Sequence, residues 1–160
     1  MILIALGANL PSPAGPPAVT LKAALARLEQ RGVKILSVSS FYETPAWPDP
    51  AKPVFVNAVA AVTTALQPVE LLMLLHGVET DFGRLRSAPN APRTLDLDLL
   101  DYDGLIMTDG VVLPHPRLAE RSFVLAPLAE IAPDWRHPAT GLGAGELLAV
   151  LPDRDAPKRL

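Results

Sequence analysis

The stretch PRTLDLDLLDYDG (92–104) sets Asp96 and Asp98 two residues apart within a run of leucines. In an extended chain, residues two apart point the same way. Both carboxylates therefore share one face, and Leu95, Leu97 and Leu99 share the other. At about 3.3 Å rise per residue the two acids stand roughly 7 Å apart, and they repel unless water or a cation lies between them. Carboxylate oxygens with room for water suit Mg²⁺, which keeps several waters and takes one or two carboxylates plus substrate phosphates. Arg93 immediately precedes the pair, and its planar guanidinium matches phosphate oxygens bidentately. A strand with one wet, acidic face is the competing reading, because short D-x-D patterns recur by accident.

Basic residues bracket this strand. Arg84 and Arg86 lie before it in GRLRSAPNAP (83–92), and Arg117 and Arg121 lie after it, beside His115 in LPHPR (113–117). Each alone reads as surface charge. Together they supply what a triphosphate with its metal requires, carboxylates for the cation and guanidiniums for the phosphates. There is no G-x-x-x-x-G-K-[ST], so a nucleotide is not held by a P-loop, and there is no G-x-S-x-G elbow. His76, His115 and His137 are not spaced as a zinc site, and the chain has no cysteine, which removes disulfides, thiolate metal sites and a thiol nucleophile. Asn57 is the other oddity, an amide within VFVNAVAAVTT (54–64) that must be hydrogen-bonded to be tolerated. A structural bond to a nearby loop would satisfy it. Alternatively, Asn57 and Phe55 form the floor of a pocket for a flat, polar heterocycle.

The elements that must position these residues follow from periodicity. With 160 residues, 49% of them hydrophobic and 19% charged, the chain is expected to be one globular domain. A net charge of -3 argues against non-specific nucleic-acid binding. No apolar run reaches the ~18 residues that span a bilayer, and the apolar start reads as a strand without a leader, so a cytoplasmic location is expected. Ile2 to Leu6 predicts a strand. Leu21, Leu25 and Leu28 predict a helix ending at Gly32. VKILSVSSFYETP (33–45) predicts a strand, and 54–64 is the clearest alternation, with Val54, Val56, Ala58, Ala60 and Val62 opposite Phe55, Asn57, Val59 and Ala61. Leu71, Leu75, Val78 and Phe82 predict a helix opened by Pro68 and closed by Gly83. A strand over 94–102, a hairpin at Asp103-Gly104 leading into Leu105–Met107, a broken helix over 117–133 and a short helix at 145–151 complete the order. Strand, helix, strand, strand, helix, strand is a split βαβ doublet. The predicted class is α+β, ferredoxin-like, with helices packed on a mainly antiparallel sheet.

With these residues placed, the chain resembles the 6-hydroxymethyl-7,8-dihydropterin pyrophosphokinase family of the folate pathway. The resemblance rests on GANL (7–10), SSFYETPA (39–46), FVNAV (55–59), VETDFGRLR (78–86), PRTLDLDLL (92–100) and LPHPRLAERSFVLAPLAEIAP (113–133), in the family's order and near its spacing. It covers nearly the whole chain, leaving the tail after about residue 152 uninformative. It implies pyrophosphate transfer from ATP to the pterin hydroxymethyl oxygen with release of AMP, assisted by two Mg²⁺ ions. It further implies Asp96 and Asp98 as metal ligands, and Glu79, Arg84, Arg86, Arg93, Leu99, His115 and Arg121 as the ATP-handling set. It would give Arg84 and Arg93 the catalytic role. Thr44, Pro45, Trp47, Phe55, Asn57 and Phe123 would form the pterin pocket. A monomer is expected.

One departure stands out. Where the family usually carries an aromatic and a glycine before P-R-T, this chain has Asn90 and Ala91. That aromatic normally helps cover the pterin. No serine, cysteine or lysine is required as a nucleophile, since such transfers rest on positioning and charge neutralisation, and no general base is evident. Two rival readings remain at this level. Another Mg²⁺-dependent nucleotide enzyme would have no use for Asn57 and its aromatic neighbours, and a non-catalytic ferredoxin-like module would bind no Mg²⁺-dependent nucleotide.

Overall fold

The apolar run Ile2–Ala8 forms strand β1, which is paired on both edges. One neighbour is β4 (Phe55–Thr63) and the other is β5 (Asp96–Tyr102), both antiparallel to it. The remaining strands are β2 (Lys34–Val38), β3 (Tyr42–Thr44) and β6 (Lys158–Arg159). The sheet runs β5-β1-β4-β3-β6, with β2 also pairing β4, and every pair is antiparallel. The computed structural model describes all residues except 47, 86–90 and 153–155. Among the described residues no helix is long and apolar enough to cross a membrane.

Two layers cover the sheet. Helices α1 (Pro17–Gln30) and α2 (Pro68–Asp81) pack on one face. Leu21, Leu28, Leu71, Leu75 and Val78 meet Ile2, Ile4, Leu6, Val56, Ala60, Val62, Leu95, Leu97 and Leu99 there. Both helices open on proline at the first turn, where no amide is wasted, and α2 adds a box in which Gln67 N donates to Glu70 at 3.0 Å. The other face takes α3 (Ser122–Ile131) and α4 (Ala144–Ala149) over Leu3, Val59, Ala61 and Leu100. The α+β reading with a mainly antiparallel sheet and packed helices therefore stands, in the interleaved order of a split βαβ doublet.

Several boundaries differ from the sequence reading. The predicted strand over 33–45 is two strands, because the Ser39 hydroxyl accepts from Val59 N at 3.0 Å in place of a backbone carbonyl and interrupts the ladder. The strand expected from Thr94 begins at Asp96. Asp103 and Gly104 make the expected turn, with φ of 53° and 73°. No strand follows it, however. Gly104 N donates to Asp101 Oδ1 at 3.0 Å and Asp103 N to Met1 O at 2.9 Å, so the turn is anchored to β5 and β1, and only an isolated bridge joins Met107 to Leu113. The broken helix is a 3₁₀ turn (Leu118–Glu120), an extended Arg121, and then α3. β6 was not expected, because two exposed basic residues carry no alternation to read.

A bulge in β5 shapes the site. Leu99 pairs with Ile4 and Asp101 with Leu3, which leaves Leu100 as an extra residue. The shift sends both Leu100 and Asp101 toward the α3/α4 layer, on the same face as Asp96 and Asp98. There Trp135 Nε1 donates to the buried Asp101 at 2.8 Å.

Leu97→Ala, which empties a fully buried position under the acidic face, is expected to lose about 2–5 kcal/mol in urea unfolding. Leu85→Ala, at a position 86% exposed, is expected to stay within about 0.5 kcal/mol.

Candidate active site

The register across three strands lays out the floor. Gly7 of β1 lies opposite Asp96 on one side and Asn57 on the other, and Ala5 lies opposite Asp98 and Val59. Carboxylates on β5 and an amide on β4 are thus separated only by small residues. Above this floor is a cavity of about 580 Å³, lined on its charged side by Arg93, Asp96, Asp98 and Arg121 and elsewhere by Thr44, Pro45, Phe55, Asn57 and Phe123. These nine come from every candidate group named above. The cavity also takes in Arg117, one of the bracketing arginines, and residues the sequence reading did not assign, among them Glu120, Ser122, Leu151 and Pro152.

The acidic pair is held among guanidiniums. Arg84 donates to Asp96 at 2.6 Å and Arg93 to the other Asp96 oxygen at 3.2 Å, while Arg121 donates to Asp98 at 3.3 Å. Arg121 also stands 5.6 Å over the Phe123 ring. Glu79 lies behind this array. It is 2% exposed, pairs with Arg84, and accepts from Leu97 N at 2.8 Å. That buried carboxylate ties α2, Arg84 and the backbone of β5 together. The charges of Asp96 and Glu79 outweigh the desolvation of Arg84 and hold its guanidinium above its usual range. His115 Nε2 is 3.9 Å from Asp98, and its Nδ1 accepts from Arg117 N at 3.2 Å. Burial, followed by the neighbouring Arg121, pushes the imidazole down to about 4, so it is neutral near pH 7.

Burial, followed by the charge of Asp96, pushes Asp98 up to about 6. The charged form of Asp98 thus costs more here than in water, although Arg121, Arg84 and Arg93 act the other way. Hard oxygens under mutual repulsion, side by side and about a quarter exposed, fit Mg²⁺. Among the described residues no group of three His, Cys, Asp or Glu forms a fuller ligand set. Mg²⁺ does not require one, since waters and phosphate oxygens complete its shell.

On the β4 side, Asn57 Nδ2 donates to Thr44 Oγ1 at 2.9 Å, which fixes the amide. Its Oδ1 lies over Gly7, where an added Cβ would come within 2.6 Å of it. The glycine is required by this close approach. Asn9 is another residue the sequence reading passed over. It is 3% exposed, accepts from Arg93 N at 2.8 Å and donates to Pro53 O at 3.1 Å, so it pins Arg93 to the end of β1 and to the loop before β4. A buried amide just past a strand in GANL was the available signal. Leu99 is not brought to the cavity, because its side chain is 3% exposed in the α1/α2 core. Trp47, Arg86 and Asn90 lie outside the described residues.

Known proteins resemble this chain along most of its length. The family model for 7,8-dihydro-6-hydroxymethylpterin-pyrophosphokinase (HPPK) matches residues 3–133. A Bacillus subtilis protein named 2-amino-4-hydroxy-6-hydroxymethyldihydropteridine pyrophosphokinase is 42% identical over 141 residues, 86% of this chain and 81% of the relative. A Synechocystis protein of the same name is 40% identical over 141 residues, 87% of this chain and 70% of the relative. The "Folic acid synthesis protein fol1" of Pneumocystis carinii is 36% identical over 155 residues, 96% of this chain but only 20% of that longer protein. The crystal structure of Plasmodium falciparum HPPK-DHPS with pteroate superimposes at a TM-score of 0.73 over 92% of this chain and 43% of that one, at 13% identity, which shows a shared fold.

Gly7→Ala is expected to displace the Asn57 amide from Thr44. The Asn57 side-chain NH₂ signals should shift in ¹H–¹⁵N spectra, with a loss of about 1–3 kcal/mol in unfolding free energy from overpacking.

Proposed function

The chain belongs to the 7,8-dihydro-6-hydroxymethylpterin-pyrophosphokinase family, and on that premise we propose that it transfers pyrophosphate from ATP to 6-hydroxymethyl-7,8-dihydropterin in folate synthesis. The pterin hydroxymethyl oxygen bonds to the β-phosphorus of ATP. The bond from that phosphorus to the bridging oxygen of the α-phosphate breaks, AMP departs, and the hydroxyl proton is lost. The observation that carries this reading is one floor with two chemistries, an acidic pair set among arginines on β5 and an oriented amide beside aromatics on β4.

In this reading Asp96 and Asp98 would hold Mg²⁺, two ions arriving with ATP. When bound, that metal supplies charge neutralisation to the phosphates and draws their oxygens into position. Arg84 and Arg93 are the catalytic guanidiniums, set on the Asp96 flank to meet charge on the transferring group. Arg121 and neutral His115 serve the nucleotide from the Asp98 flank, and Arg86 and Leu99 are assigned to the nucleotide by the family resemblance alone. Glu79 acts from behind by holding Arg84 and the β5 backbone. Thr44 orients Asn57, whose free oxygen accepts from the N–H edge of the pterin, while Pro45, Phe55, Phe123 and Trp47 enclose the ring. Residues 1–160 act as one domain, as a monomer in the cytoplasm. No group in the cavity is assigned to take the hydroxyl proton.

Wild-type protein with ATP and Mg²⁺ is expected to release AMP only when the pterin is present. Asp96→Asn should lower that rate by at least about 100-fold, the upper range for disturbing a metal's surroundings. ADP in place of AMP, or release without pterin, would overturn the reading. Asn57→Ala should raise the pterin KM roughly tenfold, equivalent to about 1.4 kcal/mol, with the ATP KM unchanged.

A further inference from the structure

His115 is flanked by Pro114 and Pro116, neither of which has an amide to give. Of these three residues only His115 can bond its backbone N–H to the sheet, and it donates to Leu100 O at 2.8 Å. A regular strand would not offer that carbonyl. In an antiparallel ladder a residue's N–H and C=O face the same side, and the side alternates along the chain. Leu97 N faces away from β1, to Glu79 at 2.8 Å, so unbroken alternation would turn the Leu100 carbonyl toward β1. The bulge reverses this. One extra residue between the Leu99–Ile4 and Asp101–Leu3 pairs shifts the alternation and presents Leu100 O to the loop that carries His115.

The bulge is pinned by the residue that follows it. Asp101 is 3% exposed, and both of its oxygens are used: one accepts from Trp135 Nε1 at 2.8 Å and the other from Gly104 N at 3.0 Å. Trp135 is a firm post for this bond. It is buried in the α3/α4 core, its N donates to Ala132 O at 3.1 Å, and its ring meets His137 edge-on at 6.0 Å between centroids. Without the bulge, Asp101 would stand opposite Ile2, on the α1/α2 face and away from Trp135. A carboxylate buried there without partners is costly. The Trp135–Asp101 bond therefore selects the bulged register, and with it the carbonyl that holds His115.

We propose that Trp135 and Asp101 are positioning residues for the nucleotide: by fixing the bulge they aim Leu100 O at His115 N and so hold the imidazole beside Asp98. The inference rests on the assignment of His115 to the nucleotide given above. Every link in it is a direct bond, from Trp135 to Asp101, through the bulge to Leu100, and from Leu100 to His115, whose Nε2 stands 3.9 Å from Asp98. The pterin side of the cavity is built on β3 and β4, across β1 from the bulge, and depends on none of these links. Releasing the bulge leaves that side intact and obliges the nucleotide to order the His115 loop as it binds.

The test uses two variants that attack the pin from either side. Trp135→Phe keeps a buried ring and removes the donor, and Asp101→Leu keeps the volume and removes the acceptor. In the ligand-free protein, hydrogen exchange of the His115 amide should speed up at least roughly tenfold relative to the amides of β4, which report opening of the whole sheet. Calorimetry with Mg²⁺ and a non-hydrolysable ATP analogue should show nucleotide binding weakened roughly three- to thirtyfold, the range for changes that reach a site through intervening contacts. Pterin affinity at saturating analogue should stay within about twofold. In a His115→Ala background neither variant should weaken the nucleotide further, because both act through that residue. Unchanged His115 exchange, unchanged nucleotide affinity, multiplicative losses with His115→Ala, or an equal fall in pterin affinity would each overturn the proposal. A wild-type protein that binds no nucleotide would overturn the reading of the site and the nucleotide role with it, while the exchange comparison would still decide whether the pair holds His115.

Discussion

Asp96 and Asp98 project from the same face of one strand, and their mutual repulsion is the constraint to which the surrounding structure answers. Three carboxylates, Glu79, Asp96 and Asp98, are matched by three guanidiniums, Arg84, Arg93 and Arg121, through direct ion pairs. Partial burial raises the stakes of each pairing, since charges withdrawn from water interact more strongly and are penalised when unmatched. A set of this kind suits a ligand that itself carries both signs. A metal-bound triphosphate can exchange partners with it group by group, its cation toward the acids and its phosphates toward the guanidiniums.

The two faces of the sheet divide the work. Leu95, Leu97 and Leu99 anchor β5 in the α1/α2 core, so the acids cannot retreat from the cavity without pulling the strand out of its packing. The opposite layer covers only part of the sheet, with α3 and α4 over Leu3, Val59, Ala61 and Leu100, and the uncovered part is the cavity floor. The bulge at Leu100 makes this possible in a single strand. It places Asp101 under Trp135 at one end while Asp96 and Asp98 remain open at the other. Small residues complete the design, since Gly7 and Ala5 leave the space over β1 empty.

Family membership fits this physical account but does not replace it. The relatives named as pyrophosphokinases match most of the chain, whereas the longer folate-synthesis proteins match it over a fraction of their own length. Segments on which the family resemblance rests have a geometric reason here. An example is GANL, where Gly7 yields to Asn57 and Asn9 fixes Arg93.

Much of the architecture was legible because burial leaves a periodic trace. The alternation in β4 and β5 and the leucine spacing in α1 and α2 follow from which face is dry, and the acidic pair was visible because it breaks a leucine run. Features held by single long-range bonds left no such trace. Ser39 splits a strand through Val59, Glu79 works from within α2, Asn9 reaches Arg93 and Pro53, and β6 depends on Glu130 and Tyr42. The sequence by itself determined the α+β class, which face of each main element is dry, and the acids and arginines that stand near one another along the chain, because hydrophobic period and charge are properties of neighbouring residues. Only the tertiary structure decided which arginine meets which carboxylate, that Asn57 lies over Gly7, and that Leu151 lines the cavity, because those contacts join residues that only the completed fold brings together.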